Sequence, residues 1–285
     1  MLSQRNKGIL CILLAAFFFS LMTVGVKMAG DLPTMQKVLF RNLVASVIAW
    51  GMLIKSREKI VISKCDLRDL LLRSIFGFSG IILNFYAIDH LALSDANMLN
   101  KLSPFFAILM SLVILKEKVS KWEWAAVAIA FAGALLVIKP GFSMAAIPGF
   151  AGLMGGFGAG LAYTIVRKMG TRGVKGPVIV MFFSTFSTLA SLPFFIAGYK
   201  PMSLFQVSML LMAGIAAAGG QFAITAAYTF APAKEISIYD YTQILFAAIW
   251  GFMLFGQVPD VFSVIGYFVI LGAAIIRFVY NKNKV

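Results

Sequence analysis

Ten apolar runs, each close to the length that crosses a bilayer, follow one another along these 285 residues, and no other feature restricts the folding of the chain so severely. They are Gly8 to Met28, Thr34 to Ile54, Leu70 to Ile88, Asp95 to Leu115, Trp122 to Ile138, Pro148 to Lys168, Pro177 to Gly198, Phe205 to Tyr228, Glu235 to Phe255 and Asp260 to Tyr280. About 20 apolar residues in a helix span the hydrocarbon core, and a helix satisfies its backbone hydrogen bonds within one segment. Composition excludes a soluble bundle: 61% of residues are hydrophobic, 13% are charged, and the mean hydropathy is +0.92. The first run follows Arg5 and Lys7 as a signal peptide would, but its length and the absence of a cleavage motif read as a retained first helix.

The net charge of +14 would point to nucleic acid in a soluble protein. Here it is topological, because the cations collect in alternate connections. One set holds Arg5 and Lys7; Lys55, Arg57, Lys59, Lys64, Arg68 and Arg73; Lys116, Lys118 and Lys121; Arg167, Lys168, Arg172 and Lys175; Lys234; and Arg277, Lys282 and Lys284. The other set holds Asp31, Asp89, His90 and Asp260 with Lys139 and Lys200. Basic loops stay in the cytoplasm, so both termini are expected there, in a multi-pass protein of the cytoplasmic membrane surrounded by lipid and without a nucleic-acid partner. Cys11 and Cys65 stand in neither metal nor disulfide spacing, and no cofactor is expected.

The chain repeats itself. An ungapped shift of 140 positions pairs Phe17 with Phe157, Leu21 with Leu161, Lys27 with Arg167, Gly80 with Gly220, Asp95 with Glu235, Asn97 with Ser237, Phe106 with Phe246, Ala107 with Ala247 and Glu117 with Gln257. Residues 1–140 and 141–285 are thus read as two copies of five helices. Five is odd, so the second copy enters the membrane in the opposite sense. The expected fold is an all-α membrane protein of ten transmembrane helices arranged as two inverted five-helix repeats, which places a substrate site near the midplane between the copies.

The stretch from Asp95 to Trp122 concentrates polar groups in an apolar setting: Asn97, Asn100, Lys101, Ser103 and Pro104. Lys101 either snorkels to the interface or offers a positive point inside a central cavity. Asn97, four residues earlier, shares its face, and Pro104 removes one backbone hydrogen bond and frees the carbonyl of Asn100. In the second copy Asp240 is the acid deep in a span. Straight antiparallel helices would set Lys101 and Asp240 about 13 Å apart along the membrane normal, too far for a direct salt bridge. That separation would suit a zwitterion, its carboxylate near Lys101 and its amine near Asp240. Asn84, Tyr163, Gln221, Tyr241, Gln243 and Trp250 are candidate lining residues, together with Tyr86, Tyr228 and Tyr239, because a polar tip inside a span needs a partner. Interhelical hydrogen bonding is the competing reading. Gly152, Gly156 and Gly160 recur every four residues without the strand that a nucleotide loop requires, and signify close helix packing. Arg41 is expected to snorkel, His90 to be solvated, and Trp122, Trp124 and Tyr280 to sit in the interfacial belt.

The apolar helix with a proline, closing on Leu115-Lys116-Glu117 and echoed by Phe255-Gly256-Gln257, together with Phe40-Arg41-Asn42-Leu43-Val44-Ala45, resembles the ten-helix EamA transporters of the drug/metabolite transporter superfamily. The resemblance covers nearly the whole chain. It implies two inverted five-helix units, cytoplasmic termini and movement of small metabolites, often outward; Gln257 stands where the family's closing motif usually has glutamate. Function is therefore read as secondary transport of small polar or amphipathic metabolites, amino acids among them, by alternating access and without an ATP motif. Asp240 and Glu117 are the candidates for proton coupling, and a monomer or homodimer is compatible with the sequence. The alternative is an integral-membrane enzyme or flippase for lipid-linked substrates. One histidine and eleven scattered acids do not supply its usual acid–base or metal cluster.

Overall fold

A computed structural model of the protein describes residues 4–56, 62–116, 120–139, 146–230 and 237–282, all helix and connections. The helices are α1 (Gln4–Met28), α2 (Thr34–Ser56), α3 (Lys64–His90), α4 (Leu93–Asn100), α5 (Ser103–Ile114), α6 (Lys121–Ile138), α7 (Ile147–Thr171), α8 (Gly176–Ala197) and α9 (Leu204–Phe230). A 3-10 turn at Ser237–Tyr241 then leads into α10 (Thr242–Phe255), and α11 (Val261–Lys282) follows. Among the described residues nine spans are long and apolar enough to cross a membrane, with α4 and α5 together forming one of them. The expected span from Glu235 to Phe255 is described only from Ser237 onward, and its α-helical part, Thr242–Phe255, has 14 residues. Glu117, Glu235 and the side chain of Tyr228 lie outside the described residues.

Local signals explain the helix ends. Ser63 and Asp66 form a capping box that starts α3 at Lys64, well before its apolar run, and Ser120 with Glu123 does the same for α6. Proline enters the first turns of α5, α7 and α8, where its missing N–H costs nothing. Lys139 closes α6 and Gly256 closes α10 in the left-handed region, at φ 50° and 60°.

Packing is pairwise. α1 lies along α9, α3 along α7, α2 along α8 and α6 along α11. The glycines of α7 serve the close approach expected of them. A Cβ at Gly156 would lie 2.7 Å from the Leu99 carbonyl oxygen and one at Gly160 2.6 Å from that of Ser103, so the stripe is pressed against the α4–α5 junction. On a neighbouring face of α7, Gly155 and Gly158 meet Gly80 of α3 backbone to backbone. Trp122 packs near Tyr280 and Trp124 is exposed, as belt residues should be.

Candidate functional site

The fourth span is broken where its polar residues cluster. α4 ends at Asn100, Lys101 is its C-cap, and α5 restarts at Ser103 with Pro104 in its first turn. Proline cannot donate to a carbonyl one turn back, so the helix cannot run through this point unaltered. The Phe105 N–H, which would reach the Lys101 carbonyl in a continuous helix, bonds to Leu102, and the Lys101 carbonyl accepts from the Tyr241 hydroxyl at 3.2 Å. Tyr241 itself ends the 3-10 turn before α10, so the break in the fourth span meets the irregular start of a helix from the other half of the chain.

Lys101 Nζ lies 2.6 Å from Asp240 Oδ2, both side chains being largely buried. This corrects the straight-helix expectation that the two residues are too far apart to pair. That reckoning ran from backbone to backbone, whereas the lysine stem alone reaches about 6 Å from its Cα, and both helices are irregular where they cross. The zwitterion reading loses its geometric premise, because the two charges answer each other. Asp240 Oδ1 remains without a protein partner among the described residues.

Around this pair lies a chamber of about 110 Å³. Six expected residues stand on its wall: Asn84, Asn100, Lys101, Tyr163, Gln221 and Gln243. Asn97 sits one layer behind, its side-chain oxygen accepting from Gln243 and its amide nitrogen donating to the Leu93 carbonyl. Tyr241 lies behind Lys101, and Asp240 reaches the chamber through its partner. Trp250 is not on the wall. Its indole N–H donates to Ser20 Oγ at 3.1 Å beside Phe17, so it acts as a helix-to-helix tie between α10 and α1. Tyr163 stands on this wall with open space beside its side chain.

Two wall residues were not expected. Arg41 is 5% exposed and faces the chamber, so it does not snorkel. Arg73, assigned by its neighbours to a basic connection, is 6% exposed and faces the same space. Its placement follows from the early start of α3: the Ser63–Asp66 capping box carries the helix past the basic segment and puts Arg73 more than two turns inside. That box was the sequence signal for it. Both guanidinium groups lie over the ring of Phe183, with Cζ 5.9 Å and 3.5 Å from its centroid.

The other buried ions are matched. Lys37 pairs with Asp89, Lys101 with Asp240, and Asp69 with Lys168 and Arg172. Arg41 donates to Asn42 Oδ1, but its Nε, like Nε and Nη1 of Arg73, has no acceptor among the described residues. Gln257, in place of the family's glutamate, accepts from the Leu93 N–H at 3.0 Å and caps α4, which an amide oxygen does without a charge. Among the described residues there is no group of His, Cys, Asp or Glu fit to hold a metal ion.

A second, wider depression of about 520 Å³ opens at the end of the bundle where α1 meets α2 and α3 meets α4. Lys27 projects there and donates to the carbonyls of Ile88 and Leu91, while His90 bonds to the Tyr86 carbonyl and stacks on its ring.

A polar chamber inside a bundle of spanning helices, closed by interrupted segments, belongs to a multi-pass membrane protein that handles solutes. The EamA-like transporter family model matches residues 6–139. A pseudopaline exporter of Pseudomonas aeruginosa is 30% identical over 96% of both chains. Solute carrier family 35 member G1 of Mus musculus is 27% identical over 91% of this chain and 74% of its own. A solved crystal structure superposes with a TM-score of 0.68 at 14% identity, covering 98% of each chain, which establishes likeness of fold alone. This chain belongs to the EamA-like transporter family and is a multi-pass membrane transporter.

Proposed function

We propose that this protein is a secondary transporter that exports small polar metabolites by alternating access, with ten spanning helices in two inverted five-helix repeats and both termini in the cytoplasm. The observation that carries the reading is the chamber beside the broken fourth span, which the Lys101–Asp240 pair joins to the 3-10 start of α10 from the other half of the chain. Broken helices around a polar cavity are tolerated in a bilayer because the freed backbone groups face protein or water instead of lipid.

Several features support the duplication. Lys101 and Tyr241 are 140 positions apart, the first at the break between α4 and α5 and the second at the end of the 3-10 turn before α10. Lys116 and Gly256, also 140 apart, both take positive φ, 55° and 60°, just after α5 and α10. The same shift turns the α1–α9 pairing into the α7–α3 pairing and maps α2–α8 and α6–α11 onto themselves. Under inverted topology the two halves rock about the shared chamber, and breaking the Lys101–Asp240 contact opens it. Asp240 is the described acid best placed to exchange a proton with the chamber. The relative named as a pseudopaline exporter supports outward movement of a small metabolite.

The test is solute counterflow in proteoliposomes with labelled amino acids and small organic acids. Wild type should equilibrate at least one solute without altering it, and Lys101→Met and Asp240→Asn should each abolish its movement while still inserting. Chemical change of the solute, or undiminished flux in both variants, would overturn the reading.

A further inference from the structure

We infer that Arg41 and Arg73 form an oxyanion site in the chamber, so that the cargo is an acidic, carboxylate-bearing metabolite; this deepens the transport reading and rests on it. Four cations are buried among the described residues, and two of them, Lys37 and Lys101, have carboxylate partners. The other two stand together over one phenylalanine ring; Arg41 bonds only the neutral Asn42 amide, and its Nε, with Nε and Nη1 of Arg73, meets no acceptor among the described residues. A buried cation without a counter-charge is among the costliest things a fold can keep, and two adjacent ones repel each other as well.

The surroundings are shaped to hold these groups. Gly77, one turn beyond Arg73, leaves the space its guanidinium uses, since a Cβ there would lie 3.2 Å from Arg73 Nη1 and 3.0 Å from the Phe183 ring. Phe183 supports both cations by its face without neutralising them. Tyr163, which has Arg41, Arg73 and Asp240 as its charged neighbours, presents a hydroxyl to the same space. Guanidinium is a rigid fork that matches the two oxygens of a carboxylate, and its bonds to an anion are the strong, charge-assisted kind. With the Lys101–Asp240 pair internally neutral, the wall carries two uncompensated positive charges and no described acid of its own. A chamber of about 110 Å³ is smaller than the ~300–1,000 Å³ of pockets that engulf drug-sized ligands. It takes a small acid, or the acidic end of a longer one.

The experiment uses the full chain purified in detergent and follows its melting temperature against matched pairs: succinate with succinamide, and L-glutamate with L-glutamine. Glycerol 3-phosphate and inorganic phosphate test the other oxyanion source, and putrescine tests the opposite charge. The carboxylates should raise the melting temperature while their amides and putrescine do not, because a ligand selective for the native state stabilises it. Arg41→Gln and Arg73→Gln should each weaken carboxylate binding at least tenfold without lowering the melting temperature of the ligand-free protein. Arg73→Lys, which keeps the charge and loses the fork, should fall between. Should either glutamine variant fail to fold, Gly77→Ala crowds Arg73 with every charge in place and should weaken binding several-fold. Amides or putrescine protecting as well as the acids, phosphates protecting where carboxylates do not, no acid protecting at all, or Gln variants binding carboxylates like wild type would each overturn the assignment. Counterflow separates the two levels. A neutral or cationic solute moved equally by wild type and both Gln variants leaves the transport reading standing and removes this one, whereas no flux of any solute removes the reading beneath it.

Discussion

The wide depression at the end of the bundle and the small chamber at its centre differ in a way that volume does not reveal. The depression is nearly five times larger, yet its less exposed charged groups are bonded: Lys27 bonds two carbonyls and Asp89 holds Lys37, while Asp31, His90 and Lys200 are exposed to solvent. The chamber is tight, and Arg41, Arg73, Asn84 and Asp240 all keep polar atoms without protein partners among the described residues. Satisfied groups hold a fold together, and unsatisfied buried groups cost stability that only a function repays. The contrast is the ground on which the chamber is proposed as the solute site.

The largest test of that contrast breaks the chamber's one internal bond. Lys101→Met strands Asp240 in the interior and should cost about 3–5 kcal/mol, seen as a steep fall in melting temperature in detergent. The double variant Lys101→Met/Asp240→Asn should recover most of that stability and none of the transport. In the depression, Asp89→Asn leaves Lys37, only 1% exposed, without its carboxylate, and should cost about 2 kcal/mol because Asp89 itself is partly wet. Its solute preference in counterflow should match wild type. Arg73→Met should do the reverse: it removes an unpaired buried charge and should stabilise the ligand-free protein by about 1 kcal/mol while eliminating flux of acidic solutes. If Arg73→Met destabilises and Asp89→Asn changes the solutes carried, the contrast is the wrong way round.

The smallest effect belongs to the rim. Lys139 hydrogen-bonds Asp260 and, with the Ser263 N–H behind it, holds that carboxyl below its ordinary range. A depressed acid contributes its stability above the unfolded-state value, near pH 4, and loses it as pH falls through the lower folded value. Asp260→Asn should therefore cost under about 1 kcal/mol at neutral pH, and the difference from wild type should vanish in melting curves taken toward pH 2 to 3.

Much of the fold was legible because a membrane helix announces itself by length. Nine of the runs read from the sequence coincide with spans in the structure, and the glycine stripe of α7 packs as its spacing implied. The polar residues flanking Pro104 marked the break, and Asn84, Asn100, Lys101, Tyr163, Gln221 and Gln243 do face the chamber. What failed were inferences of distance and direction. Lys101 and Asp240 were set apart by treating broken helices as straight and side chains as short. Arg41 sits in a span whose sequence does not say which face is inside, and Arg73 was hidden by its basic neighbours, although the Ser63–Asp66 cap two turns earlier marked where its helix begins. Trp250 shows the opposite error, since an indole inside a span needs one acceptor and Ser20 supplies it.

Where Gly156 and Gly160 press on the Leu99 and Ser103 carbonyls, and Gly155 and Gly158 on Gly80, two seams run with no side chains between them to compress or reorient. The joint has no slack. A tilt of the broken rod would therefore carry α7 along, and with it the tyrosine at 163 on the chamber wall.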